Sequence, residues 1–269
     1  MGGLVVVGVD GSSASDTAVV HAAREAQRRR AKLHVVYAFT WPVRPMYAPL
    51  DPAPFTSLAH DAAQRAQGVA PGLEVAHTVM MGDAVSVLKA ESRGADLVVV
   101  GSRGTGGFIG MLLGSTAVSL AAHGECPVMV VREESDGTGP VVLAVDGSAE
   151  GERAVEFAFG EASLRRTGIS AVHAWLPDHA PAGTGAESAE RLLAQAVAGR
   201  GERYPDVTVG QEVLSGETRE VLIEASRNAQ LMVVGARGRG GFSGMLLGSV
   251  SQALLHHAHC PVAVVRGKA

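Results

Sequence analysis

One glycine-rich stretch occurs twice in this chain, and the repetition limits the fold more than any other feature. Gly101-Ser-Arg-Gly104-Thr-Gly-Gly-Phe-Ile-Gly-Met-Leu-Leu-Gly114-Ser115 directly follows the apolar run Leu97 to Val100. Gly235-Ala-Arg-Gly238-Arg-Gly-Gly-Phe-Ser-Gly-Met-Leu-Leu-Gly248-Ser249 directly follows Leu231 to Val234. Each copy reads Gly-x-x-Gly, nine residues, then Gly-Ser, and leads into an alanine- and leucine-bearing stretch of helical character. Strand, glycine loop and helix start in that order is an arrangement in which backbone N–H groups surround a phosphate. Two such units in 269 residues divide the chain into two domains of ordinary size.

The rest of the chain follows the same period. Leu4 to Val9 has the continuous valine-rich character of a strand covered on both faces of a parallel sheet, and it ends at Asp10-Gly11-Ser12. Ser13, Ser15 and Asp16 are candidate caps for a helix from about Thr17 to Arg30, in which Ala18, Ala22 and Ala26 share one face. Lys32 to Phe39 returns as a second strand, and Thr40 to Pro54, with five prolines, is expected to be irregular. A helix from about Thr56 to Val69 ends at Pro71-Gly72, and Leu73 to Met80 forms the third strand. Gly82-Asp83 opens a helix through about Ser92, Leu97 to Val100 is the fourth strand, Ser115 to His123 the last helix and Pro127 to Arg132 the last strand.

Glu133 to Pro140 is polar and turn-rich, which sets domains at 1–133 and 141–269 with a linker at 134–140. The second domain repeats the first. Val141 to Val145 ends in Asp146-Gly147-Ser148, Ile169 to Trp175 is its second strand, and Leu176 to Ala186 replaces the proline-rich loop. Glu187 to Arg203 supplies a helix, Val207 to Leu214 a strand, Gly216-Glu217 opens a helix through Arg227, and Pro261 to Arg266 closes the chain's last strand. The fold class is α/β: two tandem doubly wound domains, each a five-stranded mostly parallel sheet of order 3-2-1-4-5 with helices on both faces.

Composition excludes several functions. The net charge is −4 without a long basic run, so no nucleic-acid surface is indicated, and an aromatic content of 4% argues against a base-stacking platform. No apolar run approaches the roughly 18 residues of a membrane span, and Met1 to Asp10 has neither a basic start nor a cleavage-like site. A cytoplasmic protein without a membrane partner is expected. Cys126 and Cys260 stand at equivalent places before Pro-Val and read as small buried hydrophobes, not a disulfide framework.

In an open α/β sheet, ligands bind outside the carboxyl ends of the strands, where the winding reverses. With the order above, that crevice lies between the first and fourth strands, so Asp10 meets Gly101 and Asp146 meets Gly235. Gly101 and Gly104, like Gly235 and Gly238, allow positive φ or close approach of backbone N–H groups to an oxyanion. Gly114 and Ser115, with Gly248 and Ser249, stand at a helix start, where free N–H groups, the helix dipole and a hydroxyl favour phosphate; Thr116 adds a donor. Arg103 and Arg237 either pair with phosphate oxygens or are solvated. Asp10 and Asp146 either cap the next helix, or accept hydrogen bonds from a ribose, or help hold Mg2+ beside phosphates.

The absence of Gly-Lys-Ser/Thr excludes a P-loop, and the Asp-Gly-Ser turn after the first strand lacks the dinucleotide glycine pattern. His256, His257, His259 and Cys260 resemble a metal cluster, but the first repeat has Ala122, His123, Glu125 and Cys126 there, and a polar helix end accounts for both. No Ser-His-Asp order, paired catalytic carboxylates or zinc pattern recurs in the two halves, so no catalytic residue and no metal ligand is assigned.

On these residues the chain resembles the universal stress proteins, in their tandem two-domain, ATP-binding form. The resemblance rests on Val9-Asp10-Gly11-Ser12 and Val145-Asp146-Gly147-Ser148, the loops at 101–115 and 235–249, and the closing Cys-Pro-Val strands, and it covers nearly the whole chain. It implies one ATP per domain, usually with Mg2+, the aspartate near the nucleotide, the two-glycine turn and Gly-Ser around ribose and phosphates, and a backbone group on the second strand reading adenine, at about Ala38 and Ala174. The implied binding set is Gly8, Val9, Asp10, Ala38, Gly101, Ser102, Arg103, Gly104, Gly114, Ser115 and Thr116 in the first domain. In the second it is Val145, Asp146, Ala174, Gly235, Ala236, Arg237, Gly238, Gly248, Ser249, Val250 and Ser251.

The resemblance also implies domain pairing through the last strands and a stress-response regulator or sensor whose nucleotide occupancy is the signal, read by a regulatory protein partner. It leaves a homodimer of the full chain open. A slow ATPase or an adenylate-forming enzyme of the same fold is the alternative, weakened by the lack of an evident base or nucleophile. Ala236 stands where the first loop has Ser102, and Val250-Ser251 where it has Thr116-Ala117, so the two sites are expected to differ in affinity.

Overall fold

Runs of valine and leucine too short for helices, each separated by an amphipathic stretch, build five parallel strands in each half of the chain. The computed structural model describes residues 2–40, 53–105, 113–132, 138–176, 185–239 and 246–267. The chain divides into two compact units, Met1–Glu133 and Glu134–Ala269. In the first, the elements are β1 (Leu4–Val9), α1 (Ser13–Arg29), β2 (Lys32–Phe39), α2 (Ala53–Val69), β3 (Val75–Met81), α3 (Ala84–Glu91), β4 (Leu97–Gly101), α4 (Ser115–His123) and β5 (Val128–Val131). Every strand pair in this unit is parallel, in the order β3-β2-β1-β4-β5.

The second unit contains β6 (Val141–Ala144), a 3-10 turn at Ala149–Gly151, α5 (Glu152–Arg165), β7 (Ile169–Trp175), α6 (Gly185–Val197), α7 (Arg200–Arg203), β8 (Val209–Ser215), α8 (Thr218–Ala225), a 3-10 turn at Ser226–Asn228, β9 (Leu231–Gly235), α9 (Ser249–His257) and β10 (Val262–Val265). Its strands are again all parallel, ordered β8-β7-β6-β9-β10. The winding therefore reverses between β1 and β4 in one unit and between β6 and β9 in the other, as the α/β reading requires.

The apolar runs are buried because helices cover both faces of each sheet. Val5, Val6 and Val7 on β1 and Leu231, Met232 and Val233 on β9 are fully buried, and each such side chain contributes about 1.5–3 kcal/mol relative to exposure. Ala18, Ala22 and Ala26 are likewise fully buried, and their small side chains let α1 approach β1 closely. β3 and β8 end their sheets with exposed polar positions, among them His77, Thr78, Gln211 and Glu212, which discourages further strand addition.

Several boundaries differ from the sequence expectation, each for a local reason. The cap of α1 is Ser12, whose Oγ accepts from Ser15 N at 3.2 Å, so Ser13, Ser15 and Asp16 lie inside the helix. α2 begins at Ala53 and includes Pro54; proline is tolerated in a first helical turn, where its missing N–H has no partner to lose. The expected helix from Glu187 to Arg203 is two helices, broken where Gly199 takes φ +74°. The expected irregular stretch at 41–52, most of Leu176 to Ala186, the linker residues 134–137, and 106–112 and 240–245 of the glycine loops lie outside the described residues. Among the described residues no helix is long and apolar enough to cross a membrane.

Candidate functional site

The turn after the first strand of each unit is left-handed: Gly11 has φ +82° and Gly147 φ +69°, a conformation that a side chain disfavours. It folds the following serine back onto the aspartate. Asp10 Oδ1 accepts from Ser12 N at 3.0 Å and from Ser12 Oγ at 2.6 Å, and its Oδ2 accepts from Thr105 N at 2.8 Å. Asp146 repeats this with Ser148 N at 3.0 Å, Ser148 Oγ at 2.7 Å and Arg239 N at 2.9 Å. Each carboxylate thus ties the first-strand turn to the glycine loop after the fourth strand.

Of the two roles open to the aspartates, capping falls to the neighbouring serines instead. Ser12 Oγ accepts from Ser15 N, and Ser148 Oγ accepts from Gly151 N at 3.2 Å. With three donors already on each carboxylate, one of its roughly four lone-pair directions remains, enough for a hydroxyl donor but a poor start for metal coordination. Among the described residues no three His, Cys, Asp or Glu side chains are grouped to hold a metal ion.

The loop glycines are required by proximity. None of Gly101, Gly104, Gly235 and Gly238 has positive φ. A Cβ on Gly104 would collide with Asp10 Oδ2, and one on Gly238 would lie 2.5 Å from Asp146 Oδ2. A Cβ on Gly101 would sit 2.7 Å from the Ala14 backbone. Gly114 and Gly248 differ from these: a Cβ there would find its nearest atoms at 3.6 and 3.5 Å. Both are extended helix N-caps that make no side-chain cap bond, so the first N–H groups of α4 and α9 have neither an intrahelical acceptor nor a capping side chain.

In the second unit these groups surround a cavity of about 330 Å³. It brings together Val145 and Asp146 after β6, Ala174 on β7, Gly235, Arg237 and Gly238 after β9, and Gly248, Ser249, Val250 and Ser251 at the start of α9. Ala236 is not in its wall; it is buried, and its carbonyl accepts from Gly248 N at 2.8 Å. The Ser251 hydroxyl donates to Gly235 O at 2.7 Å and so is not free for a ligand.

The first unit has the same frame in Asp10, Gly101, Gly104 and Gly114, with Val9, Gly8 and Ala38 on the matching strand ends. A Cβ on Gly8 would lie 2.6 Å from Leu88 of α3, so this glycine admits the helix. Ser102 is buried and bonds through its backbone to Val131 O and Gly114 N, so like Ala236 it supports the loop. Arg103 is exposed. Burial first, and the Arg103 charge second, pull the Arg132 guanidinium below its ordinary value. Ser115 and Thr116 occupy the open first turn of α4.

Several wall positions escaped the sequence reading. His173 on β7 lines the cavity, and its Nδ1 lies 2.7 Å from Val145 O, which places a proton on Nδ1 because a carbonyl only accepts. Its counterpart is Tyr37, which pairs with Val9 in register and stacks on Phe55 at 5.5 Å between centroids. Burial, and then the Asp10 charge, push the Tyr37 hydroxyl above its ordinary value. Thr218 and Leu222 on α8 and Arg239 on the loop also line the cavity. Aligning the two repeats position by position would have exposed two of these, since Tyr37 against His173 and Thr105 against Arg239 are polar differences inside matched surroundings.

Both units match the model of the universal stress protein family, over residues 3–132 and 138–266. A universal stress protein of Mycolicibacterium smegmatis is 39% identical, covering 97% of this chain and 96% of its own length. One of Mycobacterium tuberculosis is 38% identical over the same shares. Among solved structures, a universal stress protein from Archaeoglobus fulgidus shares the fold, with a TM-score of 0.74 at 20% identity, covering 98% of this chain and 97% of its own. The chain belongs to the universal stress protein family, as two of its domains in tandem.

Proposed function

We propose that each unit binds one ATP and that nucleotide occupancy, instead of rapid turnover, is the signal by which the protein acts as a stress-response regulator. The observation that carries this reading is the cavity of the second unit, about 330 Å³, within the size range of small-molecule sites. It joins an apolar wall, a carboxylate and an uncapped helix start. Adenine fits against Val145, Val172, Leu222 and Val234, beside the backbone of Ala174. The remaining lone pair of Asp146 suits a ribose hydroxyl, and the N–H groups opening α9, with Arg237, suit the phosphates. Asp10, Gly104 and Gly114 supply the corresponding groups in the first unit.

Magnesium fits this site only as an ion carried on the phosphates, because the aspartates are already committed to backbone and hydroxyl donors. When bound, it would offset the phosphate charge. Retention of the nucleotide, instead of turnover, is part of the same proposal. A protein partner that distinguishes the occupied from the empty form belongs to the same reading.

Binding to the folded state raises stability by about 2.7 kcal/mol when free ligand is a hundred times Kd. Millimolar ATP with Mg2+ is therefore expected to raise Tm clearly, and heat-denatured protein purified from cells is expected to release adenine nucleotide. Absence of both the thermal shift and any released nucleotide would refute the proposal.

A further inference from the structure

We propose that Arg239 makes the second site discriminate nucleotides by the length of their phosphate chain, a property the first site, with Thr105 at that position, lacks. This inference rests on the nucleotide reading above and deepens it. The positions are equivalent in space as well as in sequence: Thr105 N donates to Asp10 Oδ2 at 2.8 Å and Arg239 N to Asp146 Oδ2 at 2.9 Å. The same backbone clasp therefore presents a short hydroxyl in one unit and a guanidinium in the other.

The Arg239 side chain turns back over the strand ends, where Nη2 donates to Gly147 O at 3.0 Å. Gly147 clears its path, since a Cβ there would lie 2.7 Å from Nη2. This contact uses one of the guanidinium's five N–H donors and leaves the others available. Arg239 lines the 330 Å³ cavity and also a second cavity of about 450 Å³ bounded by Leu192 and Gln195 of α6.

The phosphate chain has two polar walls to follow. The start of α9 offers a few N–H groups, enough for the first phosphates, and beside it runs the loop Arg237-Gly238-Arg239, joined to it where Gly248 N donates to Ala236 O at 2.8 Å. Each further phosphate brings negative charge toward two guanidiniums in this unit, whereas the equivalent loop of the first unit carries Arg103 alone. Charge-assisted bonds from guanidinium to phosphate are the strong kind, so selectivity for triphosphate over monophosphate follows in the second site.

The test uses the full chain, titrated calorimetrically with ATP, ADP and AMP at constant Mg2+ and ionic strength, in the wild type and in R239T, T105R and R239K. R239T and T105R each introduce the residue that the other unit already carries at the same place. R239T is expected to lower ATP affinity at one of the two sites by about tenfold while AMP affinity stays within about twofold, and R239K to keep most of the preference. T105R is expected to raise the ATP-to-AMP ratio of the other site. An equal loss of ATP and AMP affinity in R239T would show a purely structural strap and overturn the proposal, as would no change in either. Failure of the wild type to take up any of the three nucleotides would refute the nucleotide reading itself, and this inference with it.

Discussion

Asp146 Oδ2 accepts the backbone N–H of Arg239 at 2.9 Å, linking positions 93 residues apart, and Asp10 does the same with Thr105 at 2.8 Å across 95 residues. Replacing either carboxylate by its amide puts an NH2 group where one of the acceptor oxygens stood. D10N and D146N are each expected to destabilise their unit by about 1–3 kcal/mol and to halve the ATP stoichiometry. Urea unfolding and calorimetry measure the two effects, and full stoichiometry in both variants would contradict the assigned role.

The loop glycines make a sharper comparison. A Cβ on Gly238 meets the Asp146 carboxylate at 2.5 Å, whereas one on Gly248 has no neighbour closer than 3.5 Å. G238A is expected to cost about 1–3 kcal/mol of stability, and G248A less than about 1 kcal/mol, since only an N-cap glycine is changed. Melting curves without nucleotide check the order, and a G248A variant less stable than G238A would refute it.

Burial pushes the Cys126 and Cys260 thiols up to about 12 from the ordinary 9.0. Both are free cysteines. At pH 8 a thiol reagent is expected to label the buried Cys260 only after denaturant is added, and the half-buried Cys126 slowly. The folded state holds its thiol protons while the unfolded state releases them, so their contribution to stability is complete below pH 9 and is lost as pH rises toward 12. Rapid labelling of the native protein would show that the burial is not maintained in solution.

Glu161 is 1% exposed and pairs with Arg165, 6% exposed, at 3.0 Å. E161A removes this carboxylate from a guanidinium that keeps Gln230 Oε1 at 3.3 Å, and is expected to destabilise the second unit by about 1–3 kcal/mol. A loss below 1 kcal/mol in urea unfolding would mean that water reaches the arginine.

Much of the fold was legible because its signals are local. The limits of β2, β7 and α4 coincide with the apolar runs Lys32 to Phe39 and Ile169 to Trp175 and with the stretch opened by Gly114-Ser115. The boundaries that moved did so where several residues compete for one role. Three further candidates near Ser12 could have capped α1, and only the backbone extended at Ser12 selects it. Pro54 looked like a helix breaker, yet a first-turn position makes it compatible with α2.

The site was legible in outline and not in its working parts. Asp10, Gly104 and Gly114 were recognisable as a recurring set, but not that Gly104 yields space to a carboxylate while Gly114 opens a helix start. Tyr37, His173, Thr218, Leu222 and Arg239 carry no pattern of their own, because a cavity wall is assembled from strands and helices far apart in the chain.

The sequence alone determined that there are two α/β units, that both carry a glycine loop after the fourth strand, and that an aspartate ends the first strand of each, since periodicity, punctuation and repetition are properties of short segments. Only the tertiary structure decided what those residues do. Placing β4 beside β1 and β9 beside β6 brings each aspartate within hydrogen-bond distance of a loop some ninety residues away, and a contact between distant segments has no local signature from which to be read.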